Sequence, residues 1–122
     1  VSGLIAIAVS LCSVSTSDAF AQAADDVSKQ AAERFTEVLL RRPRPGTALD
    51  RVYGYHLQQA SLDQFLNQLE QEGDDDETGR RQMVLGLVQL RRGQSTQAVE
   101  AFRRADRLLT DDAMASFFLG RA

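Results

Sequence analysis

From Ser28 onward, apolar residues return every three or four positions, and no stretch alternates convincingly at every second one. That rhythm lays them along one side of a helix, whereas a half-buried strand would present them at alternate positions. Ala31, Phe35, Val38 and Leu39 form one stripe. Pro43 and Pro45 close it, because a proline ring blocks the next helical turn. Leu49, Val52, Tyr53, His56 and Leu57 predict a second helix, and Leu62, Phe65, Leu66 and Leu69 a third that ends near Gly73. Met83, Val84, Leu87, Val88 and Leu90 mark a fourth, stopped by Gly93, which suits the left-handed turn after a helix. Ala98, Val99, Phe102, Ala105, Leu108 and Leu109 mark a fifth. Asp111 or Asp112 can cap a sixth from Ala113, since a short carboxylate accepts from the free N–H groups of a first turn. The expected fold class is all-α. Short connections force successive helices to run antiparallel, and each pair leaves an apolar flank for the next pair to cover.

The apolar run Leu4 to Cys12 does not fit this scheme. It is shorter than the roughly 20 residues a spanning helix needs. Small, polar residues follow it from Ser13 to Asp18, and both Ala19-Phe20-Ala21 and Ala21-Gln22-Ala23 match the small-x-small pattern of a signal-peptide cleavage site. Residues 1–23 are therefore expected to be a signal peptide, truncated at its start because the basic leading segment and the initial methionine are missing. The rival readings are a buried core helix and an uncleaved anchor. A lipoprotein signal is disfavoured by Leu11, where lipid attachment at Cys12 would want a small residue. Export to the periplasm or beyond is the expectation, with membrane anchoring if the segment stays attached.

Composition excludes several chemistries. Hydrophobic residues at 43% and charged residues at 25% are ordinary for a globular chain. Seventeen acids against fourteen bases leave a net charge of −3, without the concentrated positive charge that nucleic acid requires. Cys12 is the only cysteine, which rules out an internal disulfide and a cysteine zinc site. His56 is the only histidine, and no Ser or Cys lies near it in a recognisable nucleophile motif. Asp63, Glu70 and Glu100 could supply a carboxylate pair of the glycosidase kind, but no spacing selects them. No Gly-rich phosphate loop occurs. The expectation is a protein that is not an enzyme, with no cofactor, no metal and no nucleic-acid partner.

The stretch from Arg81 to Gln94, continued by Ala98, Phe102 and Ala105, resembles a tetratricopeptide repeat. In that family a Leu-Gly pair in the first helix faces a small residue, an aromatic and another small residue in the second. Leu85, Gly86, Ala98, Phe102 and Ala105 fall at those positions. Gln82 and Gln89 depart from the family's large aromatics, and Thr110 from its closing proline. Leu85-Gly86 returns 34 residues later as Leu119-Gly120, which is the family period. The resemblance implies a solenoid of stacked antiparallel helix pairs. Residues 28–45 would be an N-terminal half-repeat or cap, 46–78 a degenerate pair, 79–112 a full repeat, and 113–122 the first helix of a further, truncated repeat. More units are expected beyond Ala122.

The family's first helices line a concave groove, which would here include Arg80, Met83, Leu87 and Arg91, with Phe117 and Arg121 from the next unit. Apolar spots flanked by arginines suit an extended peptide with acidic groups or a free C-terminus. The bland alternative makes the apolar members packing residues and the arginines solvated surface. The acidic stretch Glu72 to Glu77 lacks the spacing of a calcium loop and reads as a linker. Arg41, Arg42 and Arg44 among Pro43 and Pro45 read as a helix end favoured by the helix dipole. The function this implies is a non-catalytic protein-interaction scaffold with a protein or peptide partner. The rivals are the repeat portion of a larger enzyme and a membrane-tethered assembly factor.

Overall fold

The computed structural model describes Gly3 and residues 16–109 and 113–121. Among these are six helices and no strand: α1 (Thr16–Arg41), α2 (Thr47–Gln58), α3 (Leu62–Leu69), α4 (Asp76–Arg91), α5 (Ser95–Leu108) and α6 (Ala113–Arg121). The protein is all-α.

Local chemistry sets the helix ends. α1 stops at Arg41, two residues before the buried Pro43. Its start is twelve residues earlier than the apolar stripe predicts, because residues 19–24 are mostly alanine and glutamine, good helix formers, even though residues 17–31 are exposed. Two helices end in the same hydrogen-bonded turn. After α4, Gly93 takes φ +77° and its N–H bonds to the Leu90 carbonyl at 3.1 Å, while Gln94 N–H reaches the Gln89 carbonyl at 2.9 Å. After α2, Ala60 takes φ +52°, with Ala60 N–H on the Leu57 carbonyl and Ser61 N–H on the His56 carbonyl. Both are Schellman turns, and the second places an alanine where glycine is usual. Asp75 caps α4 by accepting from Thr78 N–H at 2.8 Å and from the Thr78 hydroxyl at 2.5 Å.

α4 is the centre of the molecule. Thr78, Gly79 and every residue from Gln82 to Gln89 are buried, so the helix is covered on all sides. α5, α1 and α3 supply the cover, with α2 lying against α1 and α3 and with α6 against α5. The α4–α5 hairpin is antiparallel: Gly79 at the start of α4 faces Leu108 and Leu109 at the end of α5, and Gly86 in the middle faces Phe102. α5 is amphipathic, with Ala98, Ala101, Phe102 and Ala105 inward and Arg103, Arg104 and Arg107 exposed. α6 covers part of α5 through Ala115 and Phe118, whose ring stacks on Phe102 at 5.7 Å.

The expected cleavage sites, Ala19 to Ala21 and Ala21 to Ala23, lie on the exposed first half of α1, where Phe20 remains 76% accessible. The Leu4 to Cys12 run and the capping candidates Asp111 and Asp112 lie outside the described residues, as does Thr110. Among the described residues no helix is long and apolar enough to cross a membrane.

Candidate functional site

Of the seven residues expected to pack the repeat, Leu85, Gly86, Ala98, Phe102 and Ala105 share the buried core of the α4–α5 hairpin. A Cβ built on Gly86 would lie 2.5–2.8 Å from three ring atoms of Phe102, so only glycine admits that ring at its present depth. Ala98, Phe102 and Ala105 are completely buried, and Leu85 nearly so. At the second Leu-Gly, Leu119 is partly buried while Gly120 is exposed, and a Cβ there would meet nothing within 4 Å. Gly86 has its aromatic neighbour; Gly120 faces open space.

The six expected groove residues separate into three groups. Met83 and Leu87 are core residues at 0% and 3% exposure, held between α4 and its neighbours. The all-round burial of α4 is the reason, and it corrects their expected place on a surface groove. Arg80 is half-buried. Arg91 is exposed, but its guanidinium pairs with the Asp50 carboxylate and lies 5.1 Å over the Tyr53 ring, fastening α4 to α2. Only Phe117 and Arg121 come together as an open surface pair. The Phe117 ring is 53% exposed, with the Arg121 guanidinium 5.7 Å from its centroid and the Phe118 ring edge-on at 5.4 Å. An aromatic face partnered by a cation in this way suits an apolar or aromatic side chain with an acidic neighbour.

Two features had no warning in the spacing. His56 Nδ1 and Ser61 Oγ are 2.8 Å apart across the α2–α3 turn, and the imidazole stacks on Phe65 at 4.3 Å. Burial penalises the charged ring and lowers the His56 pKa below its ordinary value. The i, i+5 separation of the pair follows from the Schellman turn, which helical periodicity alone does not reveal. The other feature is a polar cleft of about 700 Å³ between the α3–α4 connection and the last turns of α5.

The remaining candidates are spread over the molecule. Asp63 and Glu70 belong to α3 and its cap, whereas Glu100 lies on α5 and pairs loosely with Arg104 at 3.8 Å. The acidic stretch 72–77 is used to start α4. Asp75 is its cap, with a pKa lowered chiefly by the Thr78 hydroxyl and N–H, and Glu77 pairs with Arg81 at 3.2 Å. Among the described residues no three His, Cys, Asp or Glu side chains are placed to hold a metal ion. The fold thus defines an all-helical protein wrapped around one buried helix, with an aromatic–arginine pair on its outer helix. Comparison with protein families, curated proteins and solved structures finds no match.

Proposed function

We propose that this chain is a non-catalytic protein-interaction scaffold of the tetratricopeptide type, exported from the cytoplasm, that holds a protein or peptide partner through the α6 surface around Phe117 and Arg121. The observation that carries the reading is the register of the two Leu-Gly pairs. Gly86 is packed against Phe102, and at the corresponding Gly120, 34 residues on, no described residue comes within 4 Å of a built Cβ. Small residues that admit a bulky side chain from a facing helix are the device by which such pairs stack. Phe117 offers apolar area and Arg121 a planar donor fork beside it, a combination enriched at recognition surfaces. Export is supported by the run Leu4 to Cys12 followed by two small-x-small sites, and by the exposure of residues 17–31, whose loss up to Ala21 or Ala23 removes no buried side chain.

The test compares affinity capture from an extracytoplasmic fraction by the wild-type chain and by Phe117→Ala and Arg121→Ala. Partners retained by wild type and lost by both variants support the reading. An unchanged set of partners removes α6 from it. Mass spectrometry of the mature chain is expected to find a start near Gln22 or Ala24; a retained first segment overturns the export reading.

A further inference from the structure

No described residue of α6 lines the cleft beside α5, and its walls have opposite charge. Glu70, Gln71, Glu72 and Gly73 of the α3–α4 connection line one side. Arg104 and Arg107 line the other, three residues apart on one helix and therefore on one face. Thr78 and Gln82, both 3% exposed, lie between them on α4. The volume of about 700 Å³ is that of a site for a small ligand or a short piece of peptide.

The polar groups here are built in but loosely held. The buried Gln82 donates from Nε2 to the Leu69 carbonyl at 3.5 Å and accepts on Oε1 from Arg104 Nη1 at 3.5 Å, both at the outer limit for a hydrogen bond. Arg104 Nη2 is 3.8 Å from Glu100. Among the described residues Arg107, Glu70 and Glu72 form no ion pair, although cations and carboxylates border the same cavity. No ion pair within 4.0 Å joins the two walls among the described residues, and a purely acidic or purely basic ligand would meet one repelling wall. A ligand with both signs satisfies both.

We propose that this cleft binds a peptide segment carrying a carboxylate and a basic group on neighbouring residues. The carboxylate takes the guanidinium forks of Arg104 and Arg107, which suit two-point contact, and the cation lies against Glu70 and Glu72. Gln82 Oε1 is a further acceptor for Arg104 on the cleft wall. This inference does not depend on the α6 reading.

The experiment titrates the ¹⁵N-labelled chain with acetyl-Lys-Glu-amide, whose only charges are those two side chains, and follows amide shifts. Acetyl-Lys-Gln-amide and acetyl-Gln-Glu-amide serve as probes with one charge removed. Expected are shifts gathered at Gly73, Thr78, Gln82 and Leu108. Binding should be roughly tenfold weaker for either neutralised probe, and similarly weaker in Arg107→Gln and Glu72→Gln, as loss of a charge-assisted contact predicts. Arg103→Gln, on the exposed face of α5 and outside the cleft, should bind as wild type does. All three substituted residues are exposed, so the variants keep their helical signal in circular dichroism. Equal binding of the three probes, shifts outside the cleft, an Arg103→Gln loss equal to that of Arg107→Gln, or no binding would each overturn the proposal.

Discussion

Replacing Gly86 by alanine tests the packing at the centre of the molecule. The added methyl would start 2.5 Å from Phe102 Cε1, 2.6 Å from Cδ1 and 2.8 Å from Cζ, against about 3.5–4.0 Å for comfortable carbon contact. The ring must therefore retreat by about 1 Å. It has little freedom to do so, being fully buried and stacked on Phe118. Overpacking of this kind costs about 1–3 kcal/mol, and the rigidity of the neighbour argues for the upper part of that range. Alanine returns about 1 kcal/mol through its better helix propensity. The net loss should be about 1–2 kcal/mol, which lowers the melting temperature by roughly 5–10 °C in a domain of this size. Gly54→Ala and Gly120→Ala provide the contrast, because both positions are helical with nothing within 4 Å of the new Cβ. There the propensity term acts alone and stability rises by up to about 1 kcal/mol. Thermal and urea unfolding followed by far-UV circular dichroism would read all three. Gly86→Ala paired with Phe102→Leu should show a coupling of about 1 kcal/mol or more, since the smaller side chain makes room for the methyl. If Gly86→Ala stabilises the chain as Gly54→Ala does, the close-approach argument is wrong.

Other outcomes follow from contacts at the periphery. Arg91→Ala removes an exposed ion pair with Asp50 and a cation–π contact with Tyr53, so urea unfolding should show a loss of about 1 kcal/mol. Arg91→Lys should recover only part of it, because an ammonium cannot lie flat on the ring. His56 should titrate by NMR with a midpoint below that of a free imidazole, and the signal is unambiguous because the chain has one histidine. Its native pKa is depressed, so the unfolded chain binds more protons between the two values. Stability should fall as pH drops from the unfolded value, near 6.5, to the lowered native one, and His56→Gln should flatten that slope.

Helical periodicity places α2 to α5 and the second half of α1, because most of them bury a single stripe, whereas α6 is expected from its capping candidates. The stripe Leu62, Phe65, Leu66 and Leu69 coincides with α3, and Pro43 ends α1 for the steric reason expected. The left-handed turn at Gly93 was equally legible, since glycine is the residue that takes it at least cost. Ala60 adopts the same turn without any signal in its type, and the Ser61–His56 pair that depends on it stayed hidden. Met83 and Leu87 belong to the apolar stripe of the fourth helix, and only the family resemblance put them on a groove; α4 is enclosed on every face, so that even Gln82 and Gln89 are buried. Arg91 could be placed on the surface but not assigned its partners, since Asp50 and Tyr53 lie about 40 residues away in the chain. The charged cleft draws on α3, α4 and α5 together, and no local window holds all of its members.

The enclosure of α4 also governs where this sequence can change. From Met83 to Val88 this rod is sheathed by apolar neighbours and has no outward edge with which to meet another molecule, so substitutions there are filtered by shape. The exposed part of α1 after the small-x-small sites, from Ala24 to Ala31, carries no such restriction and can drift as long as it stays helical. New specificity can therefore arise on the exposed faces of α5, α6 and that part of α1 without disturbing the axis on which they are mounted.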